Sequence, residues 1–258
     1  MSSGTFTPHP GAAPLPRMIA AHARLEITTL LRNGEQLLLT VVIPTLLLVL
    51  FSTVPIVDLG DGARVDFLAP GVLALAVLST AFTGQAIGTG FERRYGVLKR
   101  LGASPLPRSG LLAAKTCAVL VTEALQVVLL TVVALALGWS PALSWPGALT
   151  AVALLVVGTA ACSSLGLLMA GTLRAEATLA GANLVFLLLL VGGGVIVPLA
   201  KFPEGVQAVL ELLPLSALSG GLREVLLGGG GSAWPQLGLL AVWTLLGAAA
   251  AARYFRWE

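Results

Sequence analysis

Apolar runs near the bilayer-crossing length of about 20 residues recur along nearly the whole of this chain. That feature limits the fold more than any other, because backbone in lipid has no water to bond with and must satisfy its own N–H and C=O groups. Composition agrees: of 258 residues, 57% are hydrophobic and 10% charged, and mean hydropathy is +0.94. An ordinary globular domain carries about 25% charged residues, so this chain cannot cover a surface facing water, and soluble-enzyme classes are excluded. The expected class is an all-α membrane protein with a single transmembrane domain over residues 17–258.

Six spans are expected, at residues 36–54, 67–88, 111–137, 148–170, 179–199 and 237–252. Pro44, Pro70 and Pro198 fall inside them and predict local kinks, which spanning helices tolerate when neighbours satisfy the freed carbonyls. Residues 1–16 are rich in Ser, Thr, Pro and Gly and lack the apolar core of a signal peptide. They read as a flexible tail, and no cleaved signal is expected. Over residues 17–32, Ile19, Ala23, Ile27 and Leu30 share one side of a helical wheel, with Arg17, Arg24, Thr28 and Arg32 opposite. This is an amphipathic helix too polar to span. It either lies in the membrane interface with its arginines toward anionic headgroups or extends the first span into water.

With the N-terminus inside, twelve of the 15 Lys and Arg residues fall on the cytoplasmic side, counting Lys115 as snorkelling there. Only Arg64, Lys201 and Arg223 are left outside, and such asymmetry sets orientation. Both termini are therefore expected in the cytoplasm, with the acidic loop carrying Asp58, Asp61 and Asp66 outside. Lys occurs only at positions 99, 115 and 201 while Ala, Leu, Val, Gly and Arg abound, the composition of a GC-rich bacterial genome, so a bacterial plasma membrane is expected. The net charge of +3 is ordinary for this length and does not call for nucleic acid. Cys117 and Cys162 sit in apolar runs and read as small hydrophobes, not as a disulfide.

Two connecting segments are more than loops. In residues 91–110, a short helix is expected from Glu92 to Leu101. Glu92, Arg93, Lys99 and Arg100 are exposed on it, and Val97, Leu98 and Leu101 are free for burial. Gly102 ends it, and Pro105 and Pro107 stiffen the return to the membrane. Such a segment serves either as a basic loop that fixes orientation or as a dock that passes force from a bound protein into two spans. In residues 200–233, an amphipathic helix with Val206, Val209, Leu210 and Leu213 on one face is broken by Pro214, and a second helix follows over residues 219–227. Two half-helices dipping into the outer leaflet fit this pattern, as does a hairpin lying on the membrane. Residues 228–231, all glycine, read as a flexible joint.

Within the third span Lys115, Thr116, Thr122, Glu123 and Gln126 share about a third of the wheel. That face should not meet lipid, because a carboxylate at mid-membrane costs a few kcal/mol. Glu123 is thus expected inside the bundle or in a water-filled cavity, as a proton relay, a contact for a cationic substrate group or a structural hydrogen-bonding group. There is no GxxxxGK[ST] motif and no Gly-Lys pair, and the only histidines, His9 and His22, lie outside the spans. A Walker loop, a Ser/His pair, an H-E-x-x-H helix and a His-ligated metal site are all unavailable. Catalytic, cofactor and metal residues are accordingly expected to be absent, leaving transport or a structural role.

The order of elements resembles the permease subunit of type-2 ABC exporters, the group that includes drug-resistance, polyketide-efflux, teichoic-acid and O-antigen permeases. The likeness covers nearly all of the chain from Arg17. Its most specific stretch is Glu92-Arg-Arg-Tyr-Gly-Val-Leu-Lys-Arg-Leu-Gly-Ala-Ser-Pro-Leu-Pro-Arg108: a Glu, a Gly four residues on, a basic-Leu step, then a small-residue-Pro-Leu stretch. Phe202-Pro203, Leu213-Pro214-Leu215 and Gly221-Leu-Arg-Glu224 are similar to the family's segment after the fifth span. The resemblance implies a half-transporter in which two permeases, alike or related, sit on two copies of a separate ATPase that binds the ATP and Mg. Glu92, Arg93, Arg94, Gly96, Val97, Leu98, Lys99, Arg100 and Leu101 would form the coupling helix that docks on it. Thr116, Thr122, Glu123 and Gln126 would line a substrate pathway or a polar bundle face, and Pro203, Pro214 and Gly221 would act as hinges of the outer re-entrant segment. The short outer loops suggest a drug or lipid cargo.

The competing reading is a proton-coupled secondary drug transporter with Glu123 as relay. It meets the difficulty that proton-driven carriers generally need several linked ionisable groups near the midplane. A structural or assembly role for the chain is a third. Small residues at Gly158 with Cys162 and Gly166 with Ala170 suit close helix packing, either between two permeases or within one.

Overall fold

A computed structural model of the chain describes residues 11–32, 34, 38–54, 63–142, 144–228 and 233–255. The regular structure among them is entirely helical. Helix α1 (Leu15–Arg32) comes first. A π turn at Leu38–Val42 leads into α2 (Ile43–Thr53). Helix α3 (Arg64–Val77) continues through a second π segment, Leu78–Gly84, into α4 (Gln85–Arg94), so the three pieces form one rod of 31 residues. The short α5 (Val97–Gly102) follows, then α6 (Arg108–Ala136), α7 (Trp145–Thr172) and α8 (Ala175–Gly192). Helices α9 (Glu204–Leu210) and α10 (Pro214–Leu226) meet at 90°, and α11 (Trp234–Tyr254) closes the chain.

Five helices are long and apolar enough to cross a membrane: the α3–α4 rod, α6, α7, α8 and α11. The count reaches six if the bent α9–α10 pair is one span. The first expected span is present as a shorter apolar helix over Thr40–Thr53. The rod is the hub: 83% of its most apolar stretch is buried, against 22% for α8 and 11% for α11, which are peripheral. Around it α3 packs on α10, α4 on α7 and α8, and α7 on α10 and α11.

Local chemistry explains the boundaries. Ser144 caps α7, its Oγ accepting the Gly147 N–H at 3.1 Å, with Pro146 in the first turn where its missing N–H costs nothing. Pro44 has no N–H to offer the carbonyl of Thr40, and the Gln126 amide on α6 donates to that oxygen instead, so a proline in an apolar run is tolerated through a neighbour's side chain. The fifth expected span runs to residue 199, but α8 stops at Gly192 and Gly194 adopts a left-handed φ of +67°, a conformation in which glycine ends helices readily. Pro198 therefore lies in the connection beyond α8 and kinks no span.

The small residues of α7 are used inside this chain. A Cβ on Gly158 would lie 2.9 Å from Leu218, one on Gly166 would lie 2.8 Å from the Phe82 carbonyl oxygen, and Cys162 and Ala170 are buried. The tail up to residue 10, Asp58, Asp61 and the glycines after Gly228 lie outside the described residues.

Candidate functional site

At one end of the bundle, α4 and α5 form a joint. The sequence predicts a single helix from Glu92 to Leu101. Instead α4 runs through Arg94, and Gly96 at φ +70° ends it, its N–H bonding the Arg93 carbonyl at 3.1 Å. A side chain at that φ would be strained, so the glycine separates the rod from α5. Glu92 consequently belongs to the rod, and it is half-buried where exposure was expected. Its carboxylate receives Lys115 Nζ of α6 at 2.7–2.8 Å, and the same ammonium reaches Glu26 Oε1 of α1 at 2.8 Å. His22 Nε2 lies 3.3 Å from that Glu26 oxygen. Lys115 is 6% exposed: it does not snorkel to water but clamps two carboxylates. Such a triad is geometrically demanding, because removing the cation would leave two partly buried like charges side by side.

The clamp explains α1. Its inward stripe includes Ile19, Ala23, Ile27 and Leu30, the predicted apolar side, and also His22 and Glu26, and it packs along α6. On the other side of the joint Arg93 donates to the Leu173 carbonyl at 2.5 Å, and Arg94 pairs with Glu176 at the start of α8. The end of the rod is thus tied by side chains to α1, α6 and α8 at once.

The remaining predicted docking residues divide. Tyr95 is 66% and Val97 37% exposed, and Lys99 and Arg100 are exposed too. Leu98 is 1% exposed, buried in this chain, and Leu101 lines a groove with Met18, His22, Leu25, Pro105 and Leu106. Leu98 therefore anchors α5 and is not free to fill a groove on another protein, as the periodicity alone suggested.

The polar face of α6 points into the bundle. Glu123 and Thr122 are each 5% exposed and Gln126 is 2% exposed, while Thr116 is half-buried. Thr159 of α7 donates to Glu123, and Thr122 bonds back to the Ala118 carbonyl at 3.0 Å. Gln126 accepts from Thr80 of the π segment at 2.8 Å while its amide donates to Thr40. Farther along, Ser163 donates to Gln85. Thr80, Gln85, Thr159 and Ser163 are members of this core that the reading of α6 missed. Their signal was present as polar residues inside apolar runs, yet only packing shows which of them meet. One Glu123 oxygen and the Gln85 nitrogen find no partner among the described residues.

At the opposite end α10 is nearly all buried and carries Ser216, Ser219 and Arg223 on one face. Ser219 donates to the Gly193 carbonyl at 2.9 Å and Ser216 to that of Gly192 at 3.3 Å. Arg223 donates to the Gly194 carbonyl at 2.5 Å, Val195 at 3.2 Å and Phe67 at 3.0 Å, with its guanidinium 3.7 Å from the Phe67 ring centre. Three side chains of α10 thus satisfy carbonyls left open where α8 ends. Pro214 begins α10 directly after the bend, whereas Pro203 lies at the far end of α9, before its first turn. Gly221 is no hinge: it lies inside continuous helix, where a Cβ would come 2.9 Å from Leu154.

Among the described residues no group of three or more His, Cys, Asp or Glu could hold a metal ion. The arrangement offers a jointed, ion-paired end and a closed polar core. No individual curated protein matches the chain significantly. The family model for the ABC-2 type transporter matches residues 19–227, from α1 to the end of α10 and well over half of the chain. A multi-pass apolar helical bundle with this match is the transmembrane subunit of an ABC transporter, and the chain belongs to the ABC-2 type transporter family.

Proposed function

We propose that this chain is the permease half of an exporter, working as two copies on a separate ATPase that binds ATP and Mg, in a bacterial plasma membrane with both termini cytoplasmic. The observation that carries the reading is the joint. Tyr95, Val97, Lys99 and Arg100 project from a short helix set off by Gly96, and the rod behind it is ion-paired to α6 and α8, with Lys115 of α6 also holding Glu26 of α1. A partner that pushes α5 would act on α1, α6 and α8 through those pairs. Helix α1 then lies at the cytoplasmic interface, and the α9–α10 pair dips into the outer leaflet from outside. The cargo, a drug or lipid, would cross between the two copies. The proton-coupled alternative is weaker, because Glu123 accepts its hydrogen bond from the neutral Thr159 and a relay needs linked ionisable groups.

The test is co-purification of this chain with a candidate ATPase that carries a Walker loop. Val97→Asp places a carboxylate on the exposed face of α5, where an unpaired charge in an apolar contact costs several kcal/mol. The variant should insert at wild-type abundance, lose the ATPase and lose export. Wild-type retention and transport would overturn docking through α5.

A further inference from the structure

The rod and α6 run antiparallel and meet at two polar points, Thr80 with Gln126 at 2.8 Å and Glu92 with Lys115 at 2.7–2.8 Å. Between those points, Gln85 lies five residues along the rod from Thr80, and Glu123 lies three residues back along α6 from Gln126. At 1.5 Å per residue the two are within about 3 Å of the same level. Helix α7 holds both side chains: Thr159 donates to Glu123 and Ser163 to Gln85. Thr159 and Ser163 are one helical turn apart on one face, which sets their partners about 5–6 Å from each other.

Each of these two side chains keeps one polar atom in reserve. Glu123 is 5% and Gln85 7% exposed, and Glu123 Oε1 and Gln85 Nε2 are buried without a partner among the described residues. The first is an acceptor and the second a donor, and that combination selects what fits between them. A cation would face the amide hydrogens and an anion would face the carboxylate, whereas a water accepts from the one and donates to the other. Two hydrogen bonds of about 2.8–3.0 Å, bent at a water oxygen, span about 5 Å, which matches the one-turn separation on α7. Bare polar atoms in an apolar core are costly, and buried waters in proteins occupy such points.

We infer that Gln85 and Glu123 form a binding site for one buried water, which joins the rod to α6 along the Thr159 and Ser163 stripe of α7. The water adds a third polar link between the two helices, between the Thr80 and Gln126 pair at one end and the Glu92 and Lys115 pair at the other.

The experiment is hydroxyl-radical footprinting by X-ray radiolysis of the whole chain in nanodiscs, where a bound water yields radicals that oxidise the side chains beside it. Cys162 is the reporter, because it is 1% exposed and lies on α7 between Thr159 and Ser163. In the wild type it should be oxidised above the unirradiated control despite its burial. Gln85→Leu removes the donor and leaves Ser163 able to bond back to the Thr159 carbonyl, so it should reach wild-type abundance and lose the Cys162 label. Glu123→Leu, which removes the acceptor, should lose it too, and Glu123→Gln, which keeps an acceptor oxygen, should retain it. An unlabelled Cys162 in the wild type, the result a direct bond between Gln85 and Glu123 would give, overturns the proposal, and so does a label that survives Gln85→Leu. Loss of the label in Glu123→Gln would mean that charge holds the ligand, and the inference fails. Neither ATP, the ATPase nor cargo enters the measurement, so its outcome is independent of the exporter reading.

Discussion

Arg223→Met separates two pictures of the same residue. As a charge in an outer loop, Arg223 would be nearly indifferent to replacement, within about 0.5 kcal/mol. In the structure its guanidinium serves three carbonyls at 2.5, 3.0 and 3.2 Å and lies over Phe67. Hydrogen bonds to a charged group contribute roughly 1.5–3 kcal/mol each. Two of these bonds share Nη2, so about two full bonds, not three, are at stake. The stacking on Phe67 adds about 1 kcal/mol, while Met regains part of the lost packing and spares the burial of a charge. The net loss is about 3–5 kcal/mol, a hundredfold or more in the folding equilibrium. Met also leaves carbonyls near the end of α8 open, and the loss should appear as separation of α10 from α8. Arg223→Lys keeps the charge but lacks the planar fork, so an intermediate loss is expected. The assay is reversible unfolding in mixed detergent micelles, following the fluorescence of Trp243, whose indole donates to the Leu212 carbonyl at 2.9 Å beside the bend. An Arg223→Met protein within 0.5 kcal/mol of wild type would refute the capping argument.

Lys115→Met leaves Glu26 and Glu92 facing each other without a cation; a loss of about 2–3 kcal/mol is expected, below the usual cost of a broken buried pair because both carboxylates are partly exposed. It should be read as faster tryptic cleavage within α1, and Lys115→Met with Glu92→Gln should recover part of it. Gly166→Ala should destabilise by about 1–3 kcal/mol, since the new Cβ meets the Phe82 carbonyl at 2.8 Å. Gly238→Ala, with nothing within 4 Å, should stabilise by up to about 1 kcal/mol, and thermal unfolding of the two variants must show opposite signs. For orientation, Glu204→Cys should label from outside intact cells with an impermeant thiol reagent, and Ser104→Cys only after permeabilisation; equal labelling would overturn the orientation read from the basic residues.

Features that depend on neighbours along the chain were legible in the sequence. Long apolar runs became apolar helices, the inward stripe of α1 was visible at its own spacing, and the polar side of α6 was found on its wheel, because helical periodicity is a local property. What each face meets was not legible. Leu98 has the periodicity of a docking residue and is buried in this chain. Gly158 and Gly166 have the spacing of a dimer seam and receive Leu218 and the Phe82 carbonyl of the same subunit. Lys115 counts as one more interfacial charge until Glu26, 89 positions away, closes on it. Arg223 counts as an outer-loop charge until α10 carries it against Phe67, 156 positions away. The physical reason is the same in each case: in a bilayer every helix is apolar on most of its surface, so hydrophobicity says only that a residue leaves water. Which partner it finds is decided by close packing and by the few polar groups that must bond to one another, and those pairings exist only once the helices are assembled.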